Sequence, residues 1–330
     1  MSTHAWWLTP LAVLLVLFLF RFVGCDRFFG LERSSVPDDP VNAYAIVVQK
    51  SMPVGYWRLH ETMSNTAVPG GTAIDEVGNN HGTYDMVQAG FPADPPHLSP
   101  GANPIILALG VTPAVQKYDP TATAIRVQGG FVQIPFASEL NPSTFSVIAL
   151  VQAEWALNQP GVYYCVMESS DQPPNQSGAR KTRGFAIYAG PDDPAQPGTP
   201  FRWQLWVGDG TQFNRVSQVD PTDAATITSG EPTFLAVVFD GSEYEFWVVT
   251  ENTDMDHMNH ALVPQTYVPN NSGDLHIGIT QVRSPLVPPF PGSARRLYPF
   301  SGKIEEVAIF NFALDHASIA SQIVAAFNSP

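Results

Sequence analysis

The sequence predicts an all-β protein: an antiparallel two-sheet sandwich, with one N-terminal transmembrane helix and one short C-terminal helix. Three observations predict it. Runs of six to eight residues rich in Val, Ile, Phe, Tyr and Trp recur between turn residues through the body of the chain. Thirty-one prolines and 25 glycines leave little room for long helices, because proline lacks a backbone donor and glycine loses the most entropy on ordering. One uninterrupted run of ten apolar residues, Leu11 to Phe20, stands apart near the start.

Composition limits the function classes. The chain has 330 residues, 44% apolar and 11% aromatic but only 14% charged, as expected of a folded protein with a largely neutral polar surface. Its formal charge is −14, from 30 acidic against 16 basic residues, so its average field repels phosphate backbones and anionic headgroups. Nucleic acid is thereby excluded as a partner, whereas a divalent cation, a basic protein or a neutral glycan all suit that charge. Two cysteines, Cys25 and Cys165, cannot build a disulfide framework, and Cys165 within Val162-Tyr-Tyr-Cys-Val-Met167 reads as a small buried hydrophobe.

Taken in order, residues 1–25 read as a membrane anchor. Ala5 to Leu8 extend the apolar run upstream to about 20 residues, the length that spans a hydrocarbon core. Trp6 and Trp7 form an interfacial belt and Arg21 snorkels; a signal peptide is the competing reading. Phe22-Val-Gly-Cys25 resembles the lipobox of bacterial lipoproteins, which implies lipidation at Cys25, and the following Asp26 implies retention at the inner membrane. Residues 26–40, rich in Ser, Asp and Pro, read as a linker, and 41–330 as the folded domain on the periplasmic side.

Within that body the strand signals fall at Gly130–Pro135, Thr144–Val151, Gly161–Met167, Gly184–Ala189, Phe201–Val207, Thr233–Asp240, Glu243–Thr250, Asp274–Thr280 and Lys303–Phe310. Asp240-Gly241 predicts a tight hairpin, since it supplies the positive φ angle such turns need. Asp315 predicts a helix cap, followed by Ile319, Ile323 and Phe327 on one face.

Tyr44 to Glu61, containing Pro53-Val-Gly-Tyr-Trp-Arg-Leu-His-Glu61, resembles the opening of bacterial laminin-G-like jelly-roll domains. Asp75-Glu-Val-Gly-Asn-Asn80-His-Gly-Thr-Tyr84 is similar to a turn of that family, and Phe300 to Leu314 to its closing strand. Thr144-Phe-Ser-Val matches a further strand, with Ile148 and Leu150 standing where the family has glutamate and tryptophan. The resemblance implies a concanavalin A-like sandwich in which the first and last strands lie together, so that 41–330 forms one domain. Alternation adds that Trp57 and Leu59 point inward.

The candidate sites are few. In Phe201–Val207, alternation places Arg202, Gln204 and Trp206 on the face opposite Phe201, Trp203, Leu205 and Val207, so Trp206 is free to stack on a ligand or to lie under a Pro-rich loop. Asp75, Asn79 and Asn80 offer oxygens for Ca2+, or simply form a turn. Asp254-Met-Asp256-His257-Met-Asn-His260 gathers metal-ligating types, or forms a hairpin tip. Paired carboxylates at glycosidase spacing are missing, and Glu243 with Glu245 is the nearest pair on one strand face. The sequence therefore points first to a membrane-anchored, non-catalytic module that binds a protein partner or serves a membrane complex. A carbohydrate-binding lectin is the alternative, and a glycoside hydrolase comes third.

Overall fold

The computed structural model describes residues 43–61, 70–86, 106–115, 122–154, 163–171, 182–191, 199–216, 226–251, 262–264, 266–283 and 295–327. The anchor over 1–25 with Cys25, the linker and the histidine-bearing stretch 254–260 lie outside these residues. Among the described residues no helix is long and apolar enough to cross a membrane.

In chain order the elements are α1 (Ala43–Lys50), β1 (Gly55–Trp57), β2 (Thr72–Ala73), β3 (Gly82–Met86), β4 (Ile106–Val111), β5 (Ala124–Gln128), β6 (Gly130–Ile134), β7 (Phe145–Ala153), β8 (Tyr164–Asp171), β9 (Arg183–Pro191), β10 (Phe201–Gly208), β11 (Phe213–Arg215), β12 (Pro232–Phe239), β13 (Glu243–Thr250), β14 (Leu262–Pro264), β15 (Leu275–Ile277), β16 (Gln281–Arg283), β17 (Arg295–Leu297), β18 (Ser301–Phe310) and α2 (His316–Phe327). One antiparallel sheet, here called A, runs β14-β13-β12-β7-β18-β5-β4 with β1 added on β18; the other, B, runs β11-β10-β9-β8-β15-β6-β3-β2. The described residues thus form an all-β sandwich with few helices.

The main core lies between the sheets. Val147, Ala149 and Val151 of β7 meet Ile187 of β9 and Trp203 and Leu205 of β10 in one cluster of buried side chains. Each such fully buried large side chain contributes about 1.5–3 kcal/mol. The outer face of sheet A is covered as well: Ile148, Leu150, Phe234 and Phe310 pack under Val48 of α1 and Ile323 of α2. This explains the near-continuous apolar reading of β7, a strand buried on both faces. Ile148 and Leu150 face the helix layer.

The first and last strands are tied together. Tyr56 of β1 lies opposite Ala308 of β18, the Tyr56 hydroxyl donates to Glu306, and Arg58 Nε donates to Glu306 Oε1 at 3.1 Å. The cap on α2 is as expected, with Ser318 N donating to Asp315 Oδ1 at 2.8 Å; the Ser318 hydroxyl first and then this amide hold that carboxyl below its ordinary value. Gly241 has φ of +104°, and Asp240 Oδ1 accepts from the Ser242 and Glu243 amides. Helix α1 was not legible from periodicity, because Ala45-Ile-Val-Val48 carries three β-branched residues that favour strands; its packing against α2 and sheet A overrides that preference.

Candidate functional site

Helices cap the outer face of sheet A, and the outer face of sheet B carries a separate, largely aromatic cluster. On β10 the alternation holds as expected: Phe201, Trp203, Leu205 and Val207 enter the core, and Trp206 faces out. Pairing brings Gly190, Tyr188 and Ala186 of β9 opposite Arg202, Gln204 and Trp206. On β8 a bulge between Cys165 and Met167 makes Val166 the extra residue, so Val166 and Met167 both turn inward. Tyr163, just before the strand, and Cys165 therefore share the outward face with Tyr188. Tyr298 arrives from the far end of the chain, where the Cys165 amide donates to its carbonyl at 3.0 Å.

The result is a recess of about 200 Å3 lined by Tyr163, Tyr188, Trp206, Phe213 and Tyr298. Its rings stand on edge to one another: Tyr163 and Trp206 have centroids 6.1 Å apart at 89°, and Tyr188 and Tyr298 lie 6.3 Å apart at 89°. Such edge-to-face contacts use the positive rim of one ring against the negative face of the next, which fixes their relative orientation. Gly190 makes room for this, since a Cβ there would lie 2.4 Å from the Tyr163 ring. Burial, then the neighbouring Cys165, pushes the Tyr188 hydroxyl far above its ordinary value despite a hydrogen bond from Thr280, so it stays protonated.

The structure divides the three residues expected to touch a ligand here. Trp206 is half-buried and lines the recess. Gln204 is 1% exposed; its Nε2 donates to the Gly190 and Pro191 carbonyls at 3.2 and 3.0 Å, and its Oε1 accepts from Trp206 Nε1 at 3.1 Å. It holds the indole in place and does not reach the recess. Arg202 is half-buried on the same face, beside Gly190.

The oxygens expected to serve Ca2+ are engaged differently. Asp75 is 4% exposed; its Oδ1 accepts from the Tyr56 and Val77 amides at 3.0 and 3.2 Å, and its Oδ2 from the Asn80 amide at 3.0 Å. Asn80 gives its carbonyl to Trp57 Nε1 at 2.9 Å, and Asn79 is exposed. The turn is a clamp on β1, built by local Asx bonds. Among the described residues no group of three or more His, Cys, Asp or Glu is placed to hold a metal.

The acidic groups are committed elsewhere. Glu245 accepts from Trp247 Nε1 at 3.1 Å and meets His316 Nε2 at 2.9 Å, tying β13 to α2. Glu305 and Glu306 are buried in the β18 bulge, where Glu306 has φ of +54° and Glu305 Oε1 accepts from the Val115 amide at 2.7 Å. Among the described residues no carboxylate lines the aromatic recess.

Sequence reasoning found one of the five lining residues. Tyr188 carried a usable signal, because Phe185, Ile187 and Ala189 alternate inward and leave it on the other face. Tyr163 was hidden by the bulge, Phe213 by the shortness of β11, and Tyr298 by its distance along the chain.

By fold and site the chain is an all-β sandwich with an aromatic recess on one sheet. No family model and no curated protein matches it. Among solved structures it is similar to domain 4 of the arabinanase AbnA from Geobacillus stearothermophilus, in complex with arabinotriose (14% identity, 83% of this chain and 98% of that one, TM-score 0.41). It is also similar to the enzymatically active domain of tailspike protein 2 from bacteriophage CBA120 (11%, 75% and 32%, 0.47) and to a mutant Trypanosoma rangeli sialidase (12%, 84% and 33%, 0.43).

Proposed function

We propose that this chain is a carbohydrate-binding module of the laminin-G-like, jelly-roll kind, which seats the apolar face of one sugar ring against Trp206 and does no chemistry on it. One observation carries the reading: an outward recess walled by five aromatic side chains. Aromatic rings left at a surface expose apolar area that water disfavours, and the C–H face of a pyranose fits such a wall while its hydroxyls stay wet. Size argues for a single ring, since about 200 Å3 lies below the roughly 300–1,000 Å3 of pockets that enclose drug-sized ligands. The anchor over residues 1–25 belongs to the same proposal, as the tether that holds the module at the periplasmic side of a membrane.

A glycan array followed by titration calorimetry tests the reading. Binding of at least one glycan is expected, and Trp206→Ala weakens it tenfold or more, the effect of truncating an anchor worth about 2 kcal/mol. An intact fold with no glycan bound sinks the proposal, as does binding that Trp206→Ala leaves unchanged.

A further inference from the structure

Strand pairing puts two arginines on the same face of sheet B as the recess, in a chain whose acidic residues outnumber its basic ones by 30 to 16. Arg215 of β11 is directly opposite Trp206, and Phe213, two residues earlier on the same strand, lines the recess. Directly opposed residues project to the same face with their Cβ atoms about 5 Å apart. Arg215 therefore stands at the Trp206 wall. Arg202 is opposite Gly190, the position that the Tyr163 ring covers, and so flanks the other wall. Both arginines are half-buried, and both already interact within the chain. A guanidinium partly withdrawn from water keeps its charge and presents a planar fork of donors that matches a carboxylate.

We infer that the ring taken by this recess is an acidic pyranose, a sugar bearing a carboxylate such as a uronic acid. Its C–H face lies on Trp206 and its carboxylate pairs with Arg215, with Arg202 at the opposite side. This rests on the carbohydrate reading above and narrows its ligand. The overall charge of −14 does not oppose it at contact range, because the diffuse field is screened beyond about 8 Å at physiological ionic strength.

The test is calorimetry on the full chain with the methyl glycosides of glucuronic, galacturonic and mannuronic acid, each against its neutral hexose counterpart. At least one acid is expected to bind about tenfold or more tighter than its neutral partner, the worth of a hydrogen bond to a charged group. Arg215→Gln erases that preference, so that each acid and its neutral partner bind alike, while Arg215→Lys keeps part of it. Should Arg215→Gln fail to fold, Arg202→Gln is read in the same way, with a smaller loss of preference expected. Equal affinities for every acid and neutral pair overturn this inference and leave the carbohydrate reading standing. Binding of none of these sugars overturns this inference, and the carbohydrate reading falls with it only if the glycan array is blank as well.

Discussion

Asp75→Ala is the perturbation whose cost is most directly worked from the geometry. The carboxylate serves three amides, of Tyr56, Val77 and Asn80, and is itself 4% exposed. Val77 is exposed and Asn80 half-exposed, so their amides turn to water when the acceptor goes. Tyr56 is 0% exposed, and its amide is stranded. A buried donor left unpaired costs about 1–3 kcal/mol, and loosening of the loop around Trp57 Nε1 and Asn80 O adds to it, so about 2–4 kcal/mol is expected. Asp75→Asn retains one acceptor oxygen and should lose less. Urea denaturation followed by tryptophan fluorescence reads both, with the slope checked for constancy so that the midpoint reports stability. Calcium supplies the control: because both carboxylate oxygens already accept amides, millimolar calcium should leave the wild-type midpoint where it is. A loss below about 0.5 kcal/mol, the range of neutral surface changes, would refute the clamp. So would a calcium-induced rise that Asp75→Ala abolishes.

Three further outcomes follow from the same geometry. Gly190→Ala should force the Tyr163 ring back by about 1 Å, from a Cβ contact of 2.4 Å toward ordinary van der Waals range; Trp206 emission shifts and sugar affinity falls, while stability drops by no more than about 1 kcal/mol because Tyr163 is half-buried. Trp203→Ala, at a core position 2% exposed, should cost about 3–5 kcal/mol in urea, and Trp206→Ala less than about half of that. Asp209 should titrate in NMR at about 2, pulled down first by the Thr211 hydroxyl and then by the Gln212 and Thr211 amides. Its folded value lies below an unfolded value near 3.9, so its stabilising contribution is full above about pH 4 and is lost as pH falls through about 2; a midpoint near the ordinary value would dismiss the loop geometry.

What the sequence displayed and what it hid divide along physical lines. Strands with complete alternation or two buried faces, such as Phe201–Gly208 and Phe145–Ala153, were legible because burial imposes period two or an unbroken apolar run. The outer motifs were legible as partners, and Tyr56 opposite Ala308 puts them side by side. Short edge pieces such as Ile106–Val111 and Phe213–Arg215 were not, since half-exposed strands of mixed character leave no period to read. At the recess, Trp206 stood out because its neighbours made it the odd residue, but a ring becomes a wall only through pairing. Tyr163 needs the β8 bulge, Tyr298 needs the Cys165 contact, and Gln204 looked available until its amide was seen bound to two carbonyls.

That last residue separates a site from a well-packed surface. The outer face of sheet B carries several features that stability alone does not favour: a bulge, a glycine under a ring, and a glutamine 1% exposed. Local departures of this kind collect where function constrains a fold. Gln204→Leu distinguishes the two accounts. It fills much the same space but leaves the Gly190 and Pro191 carbonyls and the Trp206 indole N–H without their partner, so a loss of about 1–3 kcal/mol in stability is expected on either account. If Gln204 exists to orient the indole, the folded variant, titrated well below its melting temperature, also binds sugar several-fold more weakly because Trp206 has lost its acceptor. If the folded variant binds sugar as wild type does, Gln204 is ordinary packing. Fluorescence melting and calorimetry on one preparation give both readings.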